Sequence, residues 1–245
     1  FLPANKIILD AIKESDFLFK VTFSISGVIL DLLEKYRPDV IASFQQLVRT
    51  GCIDILGETY HHSLSSLHSE KEFERQVFLH TVKIKTLFDI EPVIFRNTEL
   101  IHNNHIATLV RRLGFKGLLC EGSQKILQSS EVNRIYKSPG EEGITVFLRN
   151  NALSDDISFR FGKQEWQEHP LTAEKFATWI HSHTVQTEVV NIFIDYETFG
   201  IYKDISSGIF DFLAQLPRSI LNNDNWSFQT ARALLSDQID YPVYD

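Results

Sequence analysis

No methionine occurs anywhere in the 245 residues, and the chain opens on Phe1 rather than on an initiator. It reads either as an internal piece of a longer protein or as a chain from which some residues are missing, which would shorten the spacings across such points. Cysteine is nearly absent as well. Cys52 and Cys120 are too few for a disulfide scaffold or a structural zinc site, so a reducing compartment, the cytoplasm, is expected. No apolar run approaches the ~20 residues that cross a bilayer. The opening Phe1-Leu2-Pro3-Ala4-Asn5-Lys6 lacks the basic-then-apolar order of a secretory leader. Positive charge is scarce: 24 Lys and Arg face 32 Asp and Glu, a net charge of −8. That balance argues against nucleic acid and anionic membranes as partners.

What is present is a core. Hydrophobic residues make up 43% and include nineteen Phe, enough to fill one sizeable domain. Short apolar stretches alternate with amphipathic ones. Strands are expected at 20–25, 52–56, 92–95, 116–120, 144–148 and 189–194, the last two being the clearest. Helices are expected at 28–36 and 39–50, split at Arg37-Pro38, then from Ser69, at 104–113, at 172–184 and at 208–216. Ser69 with Glu72 forms a capping box, and Phe73, Val77, Ile84 and Phe88 share the following helix face. Ile106, Leu109, Val110 and Leu113 share another. The stretch 133–162 reads as mainly β. Such alternation implies a parallel sheet, with no internal repeat and no linker. Polar residues follow at least three strand ends, which favours a barrel over an open sheet.

Three clusters carry candidate chemistry. Gly57-Glu58-Thr59-Tyr60-His61-His62-Ser63-Leu64 packs an acid, an aromatic, two imidazoles and hydroxyls into one loop after a strand. Phe95-Arg96-Asn97-Thr98-Glu99-Leu100 sits at a second strand end. Phe193-Ile194-Asp195-Tyr196-Glu197-Thr198-Phe199-Gly200 runs from a third strand into acidic residues. Two carboxylates from separate strand ends can serve a glycosidic bond, one attacking the anomeric carbon and one protonating the leaving oxygen. Alternation puts Asp195 and Glu197 on the same side, so pattern alone does not choose between them.

The segments GETYHHSL (57–64), FRNTELI (95–101) and FIDYETFG (193–200), with LRNNALSDDISFRF (148–161), together resemble signatures of glycoside hydrolase family 57, closest to its α-amylase-like branch. The resemblance runs from about residue 20 to residue 230. It implies an α/β fold, an incomplete (β/α)7 TIM-like barrel without its first strand in this chain, and a single catalytic barrel domain over 1–245. The family's His-Gln segment on that first strand does not occur here, and its C-terminal helical region is short or absent, so the chain is expected to be a fragment. The resemblance implies a retaining enzyme acting on α-1,4-glucans or maltooligosaccharides, by α-amylase-like hydrolysis or 4-α-glucanotransfer, with no cofactor. By motif, Glu99 takes the nucleophile position and Asp195 the general acid/base position. Glu99 must start ionised and Asp195 protonated, a division that neighbouring carboxyls favour. Glu58, Tyr60 and His62 match the substrate-contacting segment. His61 stands where the branch more often has Tyr, and a His can bind sugar hydroxyls too. Arg96 is a candidate support for carboxylate charge.

Each of these has a plainer reading. A carboxylate after a strand is often a cap, and a loop histidine often binds backbone. Asp156 is a candidate for sugar hydroxyls, as Asp155 or Arg160 could be, with a turn or ion pair as the alternative. Trp166, in a loop, is a candidate stacking platform, whereas Trp179 and Trp226 are more simply core. His102 and His105 could share a metal but lack a third ligand, and His181 and His183 face different ways. Cys52 and Cys120 read as buried thiols. The rival functions are a metal-dependent polysaccharide deacetylase or α-mannosidase-like barrel enzyme, and a glycan-binding pseudoenzyme. Oligomeric state is not legible in the sequence.

Overall fold

A strand, a crossover helix and a second strand return parallel, and this unit recurs from Val21 onward. The computed structural model describes residues 1–122, 127, 132–140, 143–182, 187–235 and 241–244. β1 (Val21–Phe23) and β2 (Ile53–Ile55) pair in parallel, with Val21 opposite Ile53. Between them run α2 (Gly27–Tyr36) and α3 (Pro38–Val48), divided at Arg37, which leaves the helical region (φ −143°) before Pro38 opens the next helix. After β2 come α4 (Ser65–His68) and α5 (Glu70–Phe88), then β3 (Ile94–Arg96). Gly57 bridges Phe95 in parallel and so joins the β2 strand to β3. α6 (Asn104–Arg112) leads to β4 (Gly117–Glu121) beside β3. β6 (Thr145–Arg149) follows β4 in parallel, and β5 (Ile135–Lys137) closes that edge antiparallel. The C-terminal ends of β1, β2, β3, β4 and β6 thus lie on one side.

Helix faces bury what their periodicity foretells. Phe73, Val77, Ile84 and Phe88 of α5 are all buried, and so are Ile106, Leu109 and Val110 of α6, while Leu113 is only partly covered. α1 (Leu2–Glu14), not anticipated from the sequence, packs against α3 and α9 (Ile209–Leu221). Its Ala4, Ile8, Leu9, Ala11 and Ile12 join Phe44 and Leu47 of α3 in one core cluster. A second cluster gathers Phe161, Phe176, Phe212 and Ile220 around α8 (Ala173–His181) and α9.

Several expectations need correction. Residues 151–160 are helical rather than β: α7 (Asn151–Asp155) runs on into a π turn over 156–160. The Asn150 side chain accepts from the Leu153 N–H at 3.0 Å and starts the helix. Residues 189–194 belong to no strand. α9 continues past Leu216 through Pro217, because Pro217 and Ile220 extend its buried face. The box at Ser69 is half made. Its hydroxyl accepts from Glu72 N–H at 3.3 Å, but the Glu72 carboxylate turns to Arg75 and Gln76, each at 2.8 Å. α8 has the Thr172 cap, with Lys175 N–H donating at 3.2 Å; residues 183–184, including His183, lie outside the described residues.

Candidate active site

The first site residues sit where β1, β2 and β3 end. Glu58, one residue past the Gly57 bridge, is buried, and Ser24 after β1 donates its hydroxyl to Glu58 Oε1 at 2.7 Å. Behind it His80 is fully buried; its Nδ1 accepts from the Glu58 N–H at 3.4 Å and its Nε2 donates to Ile25 O at 2.9 Å. Burial pushes the His80 pKa down, so the ring sits there neutral.

His62 stands between two carboxylates. Its Nε2 is 3.0 Å from Glu99 Oε1 and its Nδ1 is 3.5 Å from Glu58 Oε2. The Glu58 hydrogen bond raises the His62 pKa most; burial opposes, Glu99 adds, and Arg96, whose Nη1 lies 3.5 Å from Nδ1, opposes again. The net direction is up. Burial is the largest influence on Glu58 and pushes its pKa up, but His62, His80, Ser24 and Arg96 together bring it below the usual range. Glu99 is lowered chiefly by His62, with burial opposing and Arg96 helping. Its side chain is 70% exposed, so an ionised carboxylate faces the open side of the site.

The backbone holds Glu99 at a cost. Glu99 (φ 54°), Leu100 (φ 55°) and His62 (φ 50°) all lie in the left-handed region, where a side chain is strained. Fixed partners hold both loops. Thr59 Oγ1 and Thr98 Oγ1 are 3.0 Å apart, and buried Asn97 donates to Ser66 Oγ at 3.0 Å and to Ile101 O at 2.9 Å. Tyr60 OH sits 2.8 Å from both Asp31 oxygens, and its ring meets His61 edge-on at 5.1 Å. His61 itself is exposed.

Asp195 is reached by another route. The segment before it is tied by scattered backbone and side-chain hydrogen bonds rather than a ladder. Glu188 and Val189 N–H donate to Asn133 O at 2.9 and 3.1 Å, and Asn150 N–H donates to Asn191 O at 2.9 Å. Asn191 Nδ2 donates to Leu148 O at 3.0 Å, and Phe193 N–H to Ser154 Oγ at 3.2 Å. Arg149, at the end of β6, donates to Phe193 O at 3.1 Å. The Asp195 side chain is exposed, and among the described residues no hydrogen bond or ion pair joins it to Glu99. Arg149 was not singled out by the sequence. Its signal was a lone cation closing a continuous apolar strand, inside the segment quoted for its resemblance.

Residues 1–240 match the sequence family described as glycosyl hydrolase family 57. The chain belongs to that family. A curated Methanocaldococcus jannaschii protein, provisionally named an α-amylase, is 43% identical over 226 residues, 92% of this chain and 47% of that protein. The chain therefore spans about half the length of this relative. Among solved structures, the 4-α-glucanotransferase of Thermococcus litoralis shares the fold at TM-score 0.79 and 18% identity, over 96% of this chain and 36% of that one. A branching enzyme of the same family from Thermococcus kodakaraensis gives TM-score 0.75 at 11% identity, over 99% and 66%.

The remaining candidates of this family-57 chain lie elsewhere. Asp156 pairs with Arg160 within the π turn, and burial raises its pKa. Trp166 packs edge-on against Trp179 at 6.2 Å, in the second core cluster. Among the described residues neither shares a hydrogen bond, ion pair or ring contact with the His62 group. His102 and His105 diverge: His105 pairs with Glu70 at 3.1 Å, while His102 lies against the Tyr244 ring. Among the described residues no group of three His, Cys, Asp or Glu is arranged to hold a metal ion. Both cysteines are buried thiols.

Proposed function

We propose that this chain carries the catalytic carboxylates of a retaining glycoside hydrolase acting on α-1,4-glucans, on an incomplete (β/α)7 barrel. Glu99 attacks the anomeric carbon while Asp195 gives its proton to the departing glycosidic oxygen. The result is a glycosyl ester on Glu99 and a free sugar hydroxyl. Asp195, now a carboxylate, then takes a proton from water or from an acceptor sugar hydroxyl, whose oxygen displaces Glu99. The observation that carries the reading is Glu99 itself: an exposed carboxylate at a strand end, kept ionised by His62 and held at positive φ. Glu58 and Arg96 set the charge of His62, and Tyr60 and His61 supply hydroxyl and imidazole partners for a sugar. Membership of family 57 favours this reading over a metal-dependent deacetylase.

The test is turnover of maltoheptaose with and without EDTA, with products resolved by chromatography. Shorter or disproportionated maltooligosaccharides are expected from the full-length parent protein under both conditions, and their pattern separates hydrolysis from transfer. Glu99→Gln and Asp195→Asn should each lower the rate at least ~100-fold. Activity untouched by either substitution overturns the assignment.

A further inference from the structure

Asp195 has a fixed backbone and an exposed side chain that makes no hydrogen bond or ion pair among the described residues, so whatever fixes that backbone sets where its proton is delivered. On one side the anchor is Tyr196. Its ring lies 5.5 Å from Phe23 and 6.2 Å from Phe44, and its hydroxyl donates to Asn5 Oδ1. On the other side no strand ladder holds residues 189–194, and the last tie before Asp195 is Arg149 Nε on the Phe193 carbonyl. The Arg149 side chain is only 13% exposed, and its other nitrogens are engaged. Nη2 meets Asp155 at 2.7 Å, and Nη1 lies 3.4 Å from both Glu121 and Asn151. The guanidinium thus joins the ends of β4 and β6, the start of α7 and the segment entering the Asp195 turn.

We propose that Arg149 is a positioning residue for Asp195, an inference resting on the acid/base role proposed above. A planar guanidinium satisfies several directions at once, and an ammonium on a flexible stem cannot reproduce that. Protonation of a leaving oxygen demands approach to within ~2.6–3.2 Å, and a displacement of ~1 Å can cost ~100-fold in rate. The carboxylates of Asp155 and Glu121 neutralise the cation and aim its Nε at the carbonyl.

Two substrates separate positioning from general damage. Cleavage of maltoheptaose expels a sugar alkoxide that needs the proton, whereas fluoride departs from α-maltosyl fluoride with little proton assistance. Arg149→Lys should lower maltoheptaose turnover roughly tenfold or more, within the ~10²–10⁴ range of a general acid. The first-turnover release of fluoride should change less than about threefold, since it forgoes that assistance. Equal losses on both substrates overturn the positioning role. Amide exchange provides a readout independent of turnover. In Arg149→Met, residues 193–198 should exchange several-fold faster while β3 and α5 keep their protection. Unchanged exchange there overturns the Arg149 inference alone. A folded full-length parent protein that turns over neither substrate overturns the glycosidase reading, and this role with it.

Discussion

A histidine between two carboxylates becomes their shared counter-ion, and His62 occupies that place between Glu58 and Glu99. The sign of its effect follows from the direction of its shift. Its pKa is raised, so the pairing is fully present below the ordinary histidine value of about 6.5 and is lost as pH rises through the elevated one. Glu99 is lowered, so it stays ionised until pH falls below the ordinary glutamate range. His62→Asn removes the counter-ion and keeps a polar side chain. The acid limb of kcat/KM should then move up toward the ordinary glutamate value, with the plateau falling about tenfold. A pH–rate profile from about pH 3 to 9 checks this. An acid limb that stays where it was would mean that Glu99 is ionised without help from His62.

At the scale of elements, the join between α2 and the Tyr60 loop offers a test whose sign is informative. Gly27 opens α2, and a β-carbon there would fall 2.4 Å from the Tyr60 ring. Helix propensity alone predicts that Gly27→Ala stabilises the protein by about 0.5–1 kcal/mol. The crowding predicts a loss of about 1–3 kcal/mol instead, and with it displacement of Tyr60 from Asp31. Urea unfolding of Gly27→Ala, alone and combined with Tyr60→Ala, decides the matter: the double variant should recover most of the loss. A stabilised single variant would show that the ring yields freely.

The same scale explains what the sequence could reveal. α5 and α6 were legible because their large apolar residues recur at helical spacing behind a capping residue, Ser69 or Asn103. α1 was not, because much of its buried face is Ala4, Ala11 and Asn5, which give no strong hydropathy signal. The helix at 151–160 was recoverable from Leu153, Ile157 and Phe161, four apart and buried, had the preceding strand not extended the β reading. The apolar run at 189–194 looked like a strand, yet Asn133, Asn150, Asn191 and Ser154 hold it in place of a ladder. The loops carrying Glu58, His62 and Glu99 were visible as polar clusters after strands. The Arg149 contact joins residues 44 apart, and no local pattern encodes such a tie.

For the molecule as a whole, one buried and one half-buried histidine make stability depend on pH. Burial holds both His80 and His102 below the ordinary histidine value. Each stays neutral when folded while the unfolded chain begins to bind protons near pH 6.5, so stability falls as pH drops through that region. The two differ in what else they do. His80 hydrogen-bonds the Glu58 N–H and the Ile25 carbonyl, and His80→Phe should cost about 1–3 kcal/mol near pH 8 by orphaning those groups, less in acid where the protonation penalty is also removed. His102 has both ring nitrogens buried without a partner among the described residues, and its ring lies 5.8 Å from that of Tyr244. His102→Phe keeps a ring against Tyr244 and removes both the unpaired nitrogens and the protonation penalty. Its benefit should therefore be larger at pH 5 than at pH 8. Denaturant unfolding of the variant and the unsubstituted chain at the two pH values measures the difference. An equal effect at both would show that His102 titrates alike in the folded and unfolded chain, and the acid sensitivity would then rest on His80 and the carboxylates around His62.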